Sequence, residues 1–128
     1  MGPLHIGTDG GGSVRIPSAL SGLIGIKANF GRVPVYPASP FGTLSHLGPM
    51  TRTVRDAALM LSVMAETDSR DAYGLPYDAR DYSAVLEGGI EGLCAAYSPD
   101  LGYAEVNPEV AEKVSMAVKS LEALGVRI

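Results

Sequence analysis

Apolar and polar positions alternate in three different ways along this 128-residue chain. The plainest pattern spans residues 51–66. There Val54, Ala57, Ala58, Leu61, Met64 and Ala65 recur at spacings of three and four. That spacing predicts a helix with one buried face. Thr53 stands where an N-cap belongs, and Asp56 follows three residues later as an acidic variant of the capping box. A second stripe consists of Val110, Val114, Ala117, Val118, Leu121 and Leu124. Asn107 is its expected N-cap, Pro108 takes the first helical position, and Glu109 favours the N-terminal dipole. Gly125 is placed to stop this helix in the left-handed conformation. Short apolar runs, 93–97 and 126–128, flank it, so residues 92–128 predict a β-α-β segment.

The remaining texture is irregular. Residues 1–50 are rich in glycine, proline and serine, and 23–27 is the one apolar island that reads as a buried strand. Thr43 to Pro49 reads as a loop before the first helix. Residues 67–91 are polar and acidic, with scattered tyrosines, and read as a surface excursion. The tyrosines of 73–103 are expected to be half-buried, the methionines to fill the core, and Cys94 to be an inert buried thiol. Arg52 and Asp56, four apart on one helix, are spaced to pair in a structural role.

Composition narrows the functions available. Apolar residues make up 46% and charged residues 19%, enough for a packed core. A net charge of −4 argues against a general nucleic-acid binder. One cysteine provides neither an internal disulfide nor a multi-cysteine metal site, and fits a reducing compartment such as the cytoplasm. No apolar run approaches the roughly 20 residues of a membrane span, and the first residues lack the pattern of a signal peptide. No metal or cofactor is expected.

The chemistry concentrates in Gly7-Thr8-Asp9-Gly10-Gly11-Gly12-Ser13-Val14-Arg15-Ile16-Pro17. Successive glycines let the backbone turn tightly and aim adjacent N–H groups at one spot. Such a nest binds an anion, or the oxyanion that develops when an acyl carbonyl is attacked. Ser13 follows at once, so nucleophile and oxyanion hole would come from one loop. The loop is not a phosphate-binding P-loop, because Gly-Lys-Ser/Thr is absent. Arg15 occupies the last glycine position of both the dinucleotide fingerprint and the nucleophile elbow, so neither fits. A glycine-rich turn with a surface serine is the plain alternative. Asp9 is placed to hold the loop through backbone N–H groups or Arg15. His46 leaves a serine–histidine–aspartate arrangement open.

The same run resembles the core of the amidase signature family. So do Gly22-Leu23-Ile24-Gly25-Ile26-Lys27, Phe30-Gly31-Arg32-Val33-Pro34 and Gly48-Pro49-Met50-Thr51-Arg52-Thr53-Val54-Arg55-Asp56-Ala57-Ala58. The resemblance covers nearly the whole chain. It implies a partial α/β fold, a mixed sheet flanked by helices, in a single partial domain (1–66, 67–91 and 92–128). It implies amide hydrolysis through a serine–serine–lysine triad, with Ser13 as nucleophile. The backbone N–H groups of Gly10, Gly11, Gly12 and Ser13 would form the oxyanion hole, with Asp9 and Arg15 bracing the loop. The family's bridging serine and lysine belong to earlier segments, which are not recognisable here; Lys27 matches a structural position. Departures occur at Ala28-Asn29, where the family has Pro-Thr, and at Ser18-Ala19-Leu20-Ser21, often Ala-Ser-Phe-Cys.

Three readings follow. The first is an amidase segment acting on a small-molecule amide, without nucleic acid or membrane. The second is a catalytically inactive fragment or interaction module, because the base is missing. The third is a piece resembling the family's glutamyl-tRNA amidotransferase subunit, although Gly10 often corresponds to threonine there. An isolated piece of this sheet leaves apolar surface uncovered, so self-association or pairing with the rest of the fold is expected.

Overall fold

The computed structural model describes residues 2–128, which form two compact units, one ending at Glu87 and one spanning Gly88–Ile128. The first unit is built on a three-stranded antiparallel sheet, ordered β1 (Leu4–Asp9), β3 (His46–Thr51), β2 (Ile24–Gly25). A short helix, α1 (Arg15–Leu20), and a longer one, α2 (Val54–Met64), accompany it. The architecture is α/β, as expected.

The sheet differs from the sequence reading in three respects. The strand expected over 23–27 shrinks to Ile24–Gly25 and is half-buried. The segment read as a loop before α2 is the central strand β3. β1 and α1 have no counterpart in the sequence reading. Pro49 disguised β3, because proline usually leaves central strands. Here its carbonyl accepts from Ile26 N–H at 3.2 Å. The missing Pro49 N–H therefore faces the side where β2 has already ended, and the ladder to β1 keeps its bonds.

Glycines set the spacing inside this unit. Gly7 and Gly48 are register partners across β1 and β3. A Cβ on Gly48 would lie 1.9 Å from the Ile26 carbonyl oxygen, and one on Gly7 would lie 2.8 Å from the Val14 side chain. Val14 fills the hollow that this glycine pair leaves and is fully buried. Ala57, Ala58 and Leu61 of α2 and its C-cap Ala65 are buried on one face, as their spacing predicted, whereas Val54 of the same stripe is exposed. The cap is also as predicted: Asp56 N–H donates to Thr53 Oγ1 at 3.1 Å. Arg52 is exposed and makes no ion pair with Asp56; the neighbouring Arg55 pairs with Glu87 instead.

The second unit holds α3 (Pro108–Ala123). Asn107 Oδ1 accepts from Glu109 N–H at 2.9 Å, and Gly125 adopts φ +89°, both as expected. The expected flanking strands reduce to one parallel bridge between Cys94 and Arg127. So little sheet cannot bury a helix face. Accordingly no residue of α3 is buried, and Val110 and Leu124 of the apolar stripe are exposed. Cys94 is exposed too, which corrects the buried thiol. Most of the tyrosines expected to pack, among them Tyr73, Tyr77 and Tyr103, are likewise exposed.

Candidate active site

The site grows from the end of β1. Asp9 is the strand's last residue and is only 1% exposed. Its carboxylate faces back into the loop that follows. Gly12 N–H donates to Oδ1 at 2.5 Å, and the N–H groups of Val14 and Arg15 donate to Oδ2 at 3.3 and 3.4 Å. Arg15 adds its side chain, Nε to Oδ2 at 2.9 Å and Nη2 to Oδ1 at 3.0 Å. One carboxylate thus collects five donors. The Arg15 guanidinium is the main reason that Asp9 is held well below the usual carboxylate range, with the three backbone N–H groups adding to it and burial opposing it.

These bonds dictate the loop's shape. Gly12 takes φ +120°, a conformation that side chains rarely adopt, and a Cβ there would meet Ile16 Cδ1 at 2.5 Å. Val14 is pulled inward onto the glycine pair, while Ser13 between them stays exposed. Gly10 and Gly11 are exposed beside it. Gly12 is buried and its N–H is already given to Asp9. The structure therefore brings Asp9, Gly12, Ser13 and Arg15 together in the turn that leads into α1.

The histidines take no part in this cluster. His46 is the register partner of Asp9 across β1 and β3, yet its ring is committed elsewhere. Nδ1 bonds the Leu44 carbonyl at 2.9 Å, which leaves Nε2 to accept from Lys27 Nζ at 3.1 Å. His5 Nε2 bonds the Gly2 carbonyl at 2.8 Å. No serine–histidine–aspartate arrangement is assembled among the described residues. No cluster of three potential metal ligands occurs among the described residues.

Comparison with known proteins gives this loop its context. The amidase family model matches residues 1–128. The chain belongs to the amidase signature family. It is 43% identical over 129 residues to an acylamidase of Rhodococcus erythropolis, covering 100% of this chain and 27% of that protein. It is 41% identical over 127 residues to a glutamyl-tRNA(Gln) amidotransferase subunit of Nitrosococcus oceani, covering 98% of the chain and 26% of that protein. The crystal structure of a bacterial aryl acylamidase of the amidase signature family superposes with a TM-score of 0.87 at 34% identity. That match covers 98% of this chain and 26% of the other. This amidase signature chain therefore spans about a quarter of the length of the relatives it matches.

One feature of the family loop was not legible beforehand. The sequence suggested Asp9 as a brace. It did not show that Asp9 takes the N–H of Gly12, one of the four amides expected to face the substrate. Only the turn's geometry decides which way each amide points.

Proposed function

We propose that this chain carries the nucleophile of an amide hydrolase, with Ser13 in that role. Membership of the amidase signature family supports amide hydrolysis in general. The observation that carries the finer reading is the five-donor clamp on Asp9, which buries the residues on both sides of Ser13 and leaves Ser13 exposed. Ser13 Oγ attacks the amide carbon. The C–N bond breaks, the amine leaves with a proton, and water then hydrolyses the acyl-serine ester to the acid. The N–H groups of Gly10, Gly11 and Ser13 hold the oxyanion, while Gly12 shapes the turn with Asp9 and Arg15. A lysine and a bridging serine from outside these residues would move the proton. A cytoplasmic setting agrees with the single cysteine, and no described helix is long and apolar enough to cross a membrane.

A second reading, an inactive or docking segment, has one observation in its favour. His46 is bonded to Lys27 and to Leu44, so none of these groups is aimed at Ser13 as a base. A third, part of a glutamyl-tRNA amidotransferase, is favoured by the 41% identity to that protein of Nitrosococcus oceani. Intact mass after fluorophosphonate treatment separates the first two. One adduct per chain, lost in Ser13→Ala, supports an activated nucleophile. An adduct that persists in Ser13→Ala overturns the assignment. No adduct favours the inactive reading.

A further inference from the structure

The polar excursion after α2 does more than cross the surface. Tyr82 N–H donates to Ser62 Oγ on α2 at 3.2 Å, which ties residues 78–82 back onto the first unit. A cavity of about 280 Å³ is enclosed there. Small-ligand sites begin at roughly 300 Å³, so it suits a ligand at the small end of that range. Asp78, Arg80 and Tyr82 share its wall with Ile26, Arg32 and Leu61, all within the unit that ends at Glu87.

The chain has a net charge of −4, yet this wall is positive. Arg32 and Arg80 share one carboxylate. Nη2 of each approaches Asp78 Oδ2, at 4.0 and 3.5 Å. Both distances are longer than the roughly 2.7–3.2 Å of a hydrogen bond. Neither guanidinium makes a side-chain hydrogen bond among the described residues, although the Arg32 side chain is only 22% exposed. Two cations against one anion leave an excess of positive charge, with N–H donors on both guanidiniums lacking a fixed acceptor. One carboxylate supplies what is missing, because its two oxygens match the planar fork of a guanidinium. Ile26 and the buried Leu61 make another part of the wall apolar. A phosphate ion has no hydrocarbon to bury there, whereas a branched aliphatic acid has.

We propose that this cavity binds a small aliphatic carboxylate, with the carboxyl group between Arg32 and Arg80 and the hydrocarbon tail against Ile26 and Leu61. It shares no residue with the Ser13 loop, so the proposal stands whether or not Ser13 is the nucleophile. Isovalerate, its neutral counterpart isovaleramide and inorganic phosphate are titrated into the chain at pH 7, with backbone amide chemical shifts as the readout. Isovalerate should bind saturably in the roughly millimolar range expected of so small a ligand, shifting the amides of Arg32 and Tyr82. Isovaleramide should bind about tenfold more weakly or not at all, because it lacks the charge. Phosphate should also bind more weakly, because it gains nothing from the apolar wall. Arg80→Gln, at a side chain that is 63% exposed, should weaken isovalerate about fivefold. Asp78→Asn removes the competing carboxylate and should tighten it about threefold. A purely structural ion pair predicts no such gain. The proposal is overturned by no saturable isovalerate binding, by shifts confined to other residues, or by isovaleramide or phosphate binding as tightly. Unchanged binding in Arg80→Gln, or no tightening in Asp78→Asn, overturns it as well. The acid-against-amide comparison in the unaltered chain decides the matter even if a variant folds poorly.

Discussion

Arg15 grips Asp9 with two nitrogens, at 2.9 and 3.0 Å, while its own backbone N–H donates to the same carboxylate. Strand end and helix start are thus tied by one residue pair, with Ser13 between them. Asp9→Ala removes a buried acceptor from several donors at once, and should cost about 2–3 kcal/mol in denaturant unfolding. Asp9→Asn keeps the shape but loses the charge and should cost less. An Asp9→Ala chain as stable as the parent would show that the clamp is incidental.

The same pair sets a pH dependence. Asp9 has its carboxyl lowered by Arg15, so the unfolded chain binds a proton more readily than the folded one. Its stabilisation is fully present above the unfolded value of about 4 and is lost as pH falls below it toward the lowered folded value. Between pH 5 and 8 Asp9 contributes no slope. Acid unfolding compared in the parent and Asp9→Asn should show the parent losing more stability below about pH 4.

Close approach at Gly48 gives a sharper test. With 1.9 Å to a backbone oxygen, a methyl group there can be accommodated only by separating β3 from the Ile26 strand end. Gly48→Ala should cost about 3 kcal/mol or more. Gly22 is the contrasting case: it has φ +63° but open space around its Cβ position. Gly22→Ala should cost only about 1–2 kcal/mol. A Gly48→Ala loss no larger than that of Gly22→Ala would mean that a small backbone shift relieves the contact at Gly48.

Ser18 Oγ is buried without a hydrogen-bond partner, under Gly25. Removing an unsatisfied hydroxyl relieves a desolvation cost. Ser18→Ala should therefore be neutral or raise stability by up to about 1 kcal/mol, read from thermal unfolding. A clear loss would mean that the hydroxyl has a partner in solution.

Thr53 and Asn107 cap α2 and α3 through one side-chain oxygen each. Alanine at either should cost about 1 kcal/mol. Because Gly88–Ile128 forms its own unit, the Asn107→Ala effect should appear in α3 helicity and leave Ser13 reactivity unchanged.

Local chemistry determined much of this protein in advance. Both long helices, their caps at Thr53 and Asn107 and the stop at Gly125 follow from interactions within a few residues, which a sequence displays openly. The glycine-rich loop, the exposed Ser13 and the brace at Asp9 and Arg15 were legible for the same reason: all lie within seven consecutive positions, 9–15. The tertiary structure alone decided the rest. β1 and β3 pair residues about forty positions apart, and neither Gly7-Thr8-Asp9 nor Gly48-Pro49-Met50 has strand-like composition, so only their mutual pairing makes them strands. The direction of the Gly12 amide, the commitment of His46 to Lys27 and the exposure of the α3 stripe depend likewise on what lies beside each group in space. A periodic pattern states which face of an element is apolar. Whether anything covers that face is decided by contacts that no local pattern contains.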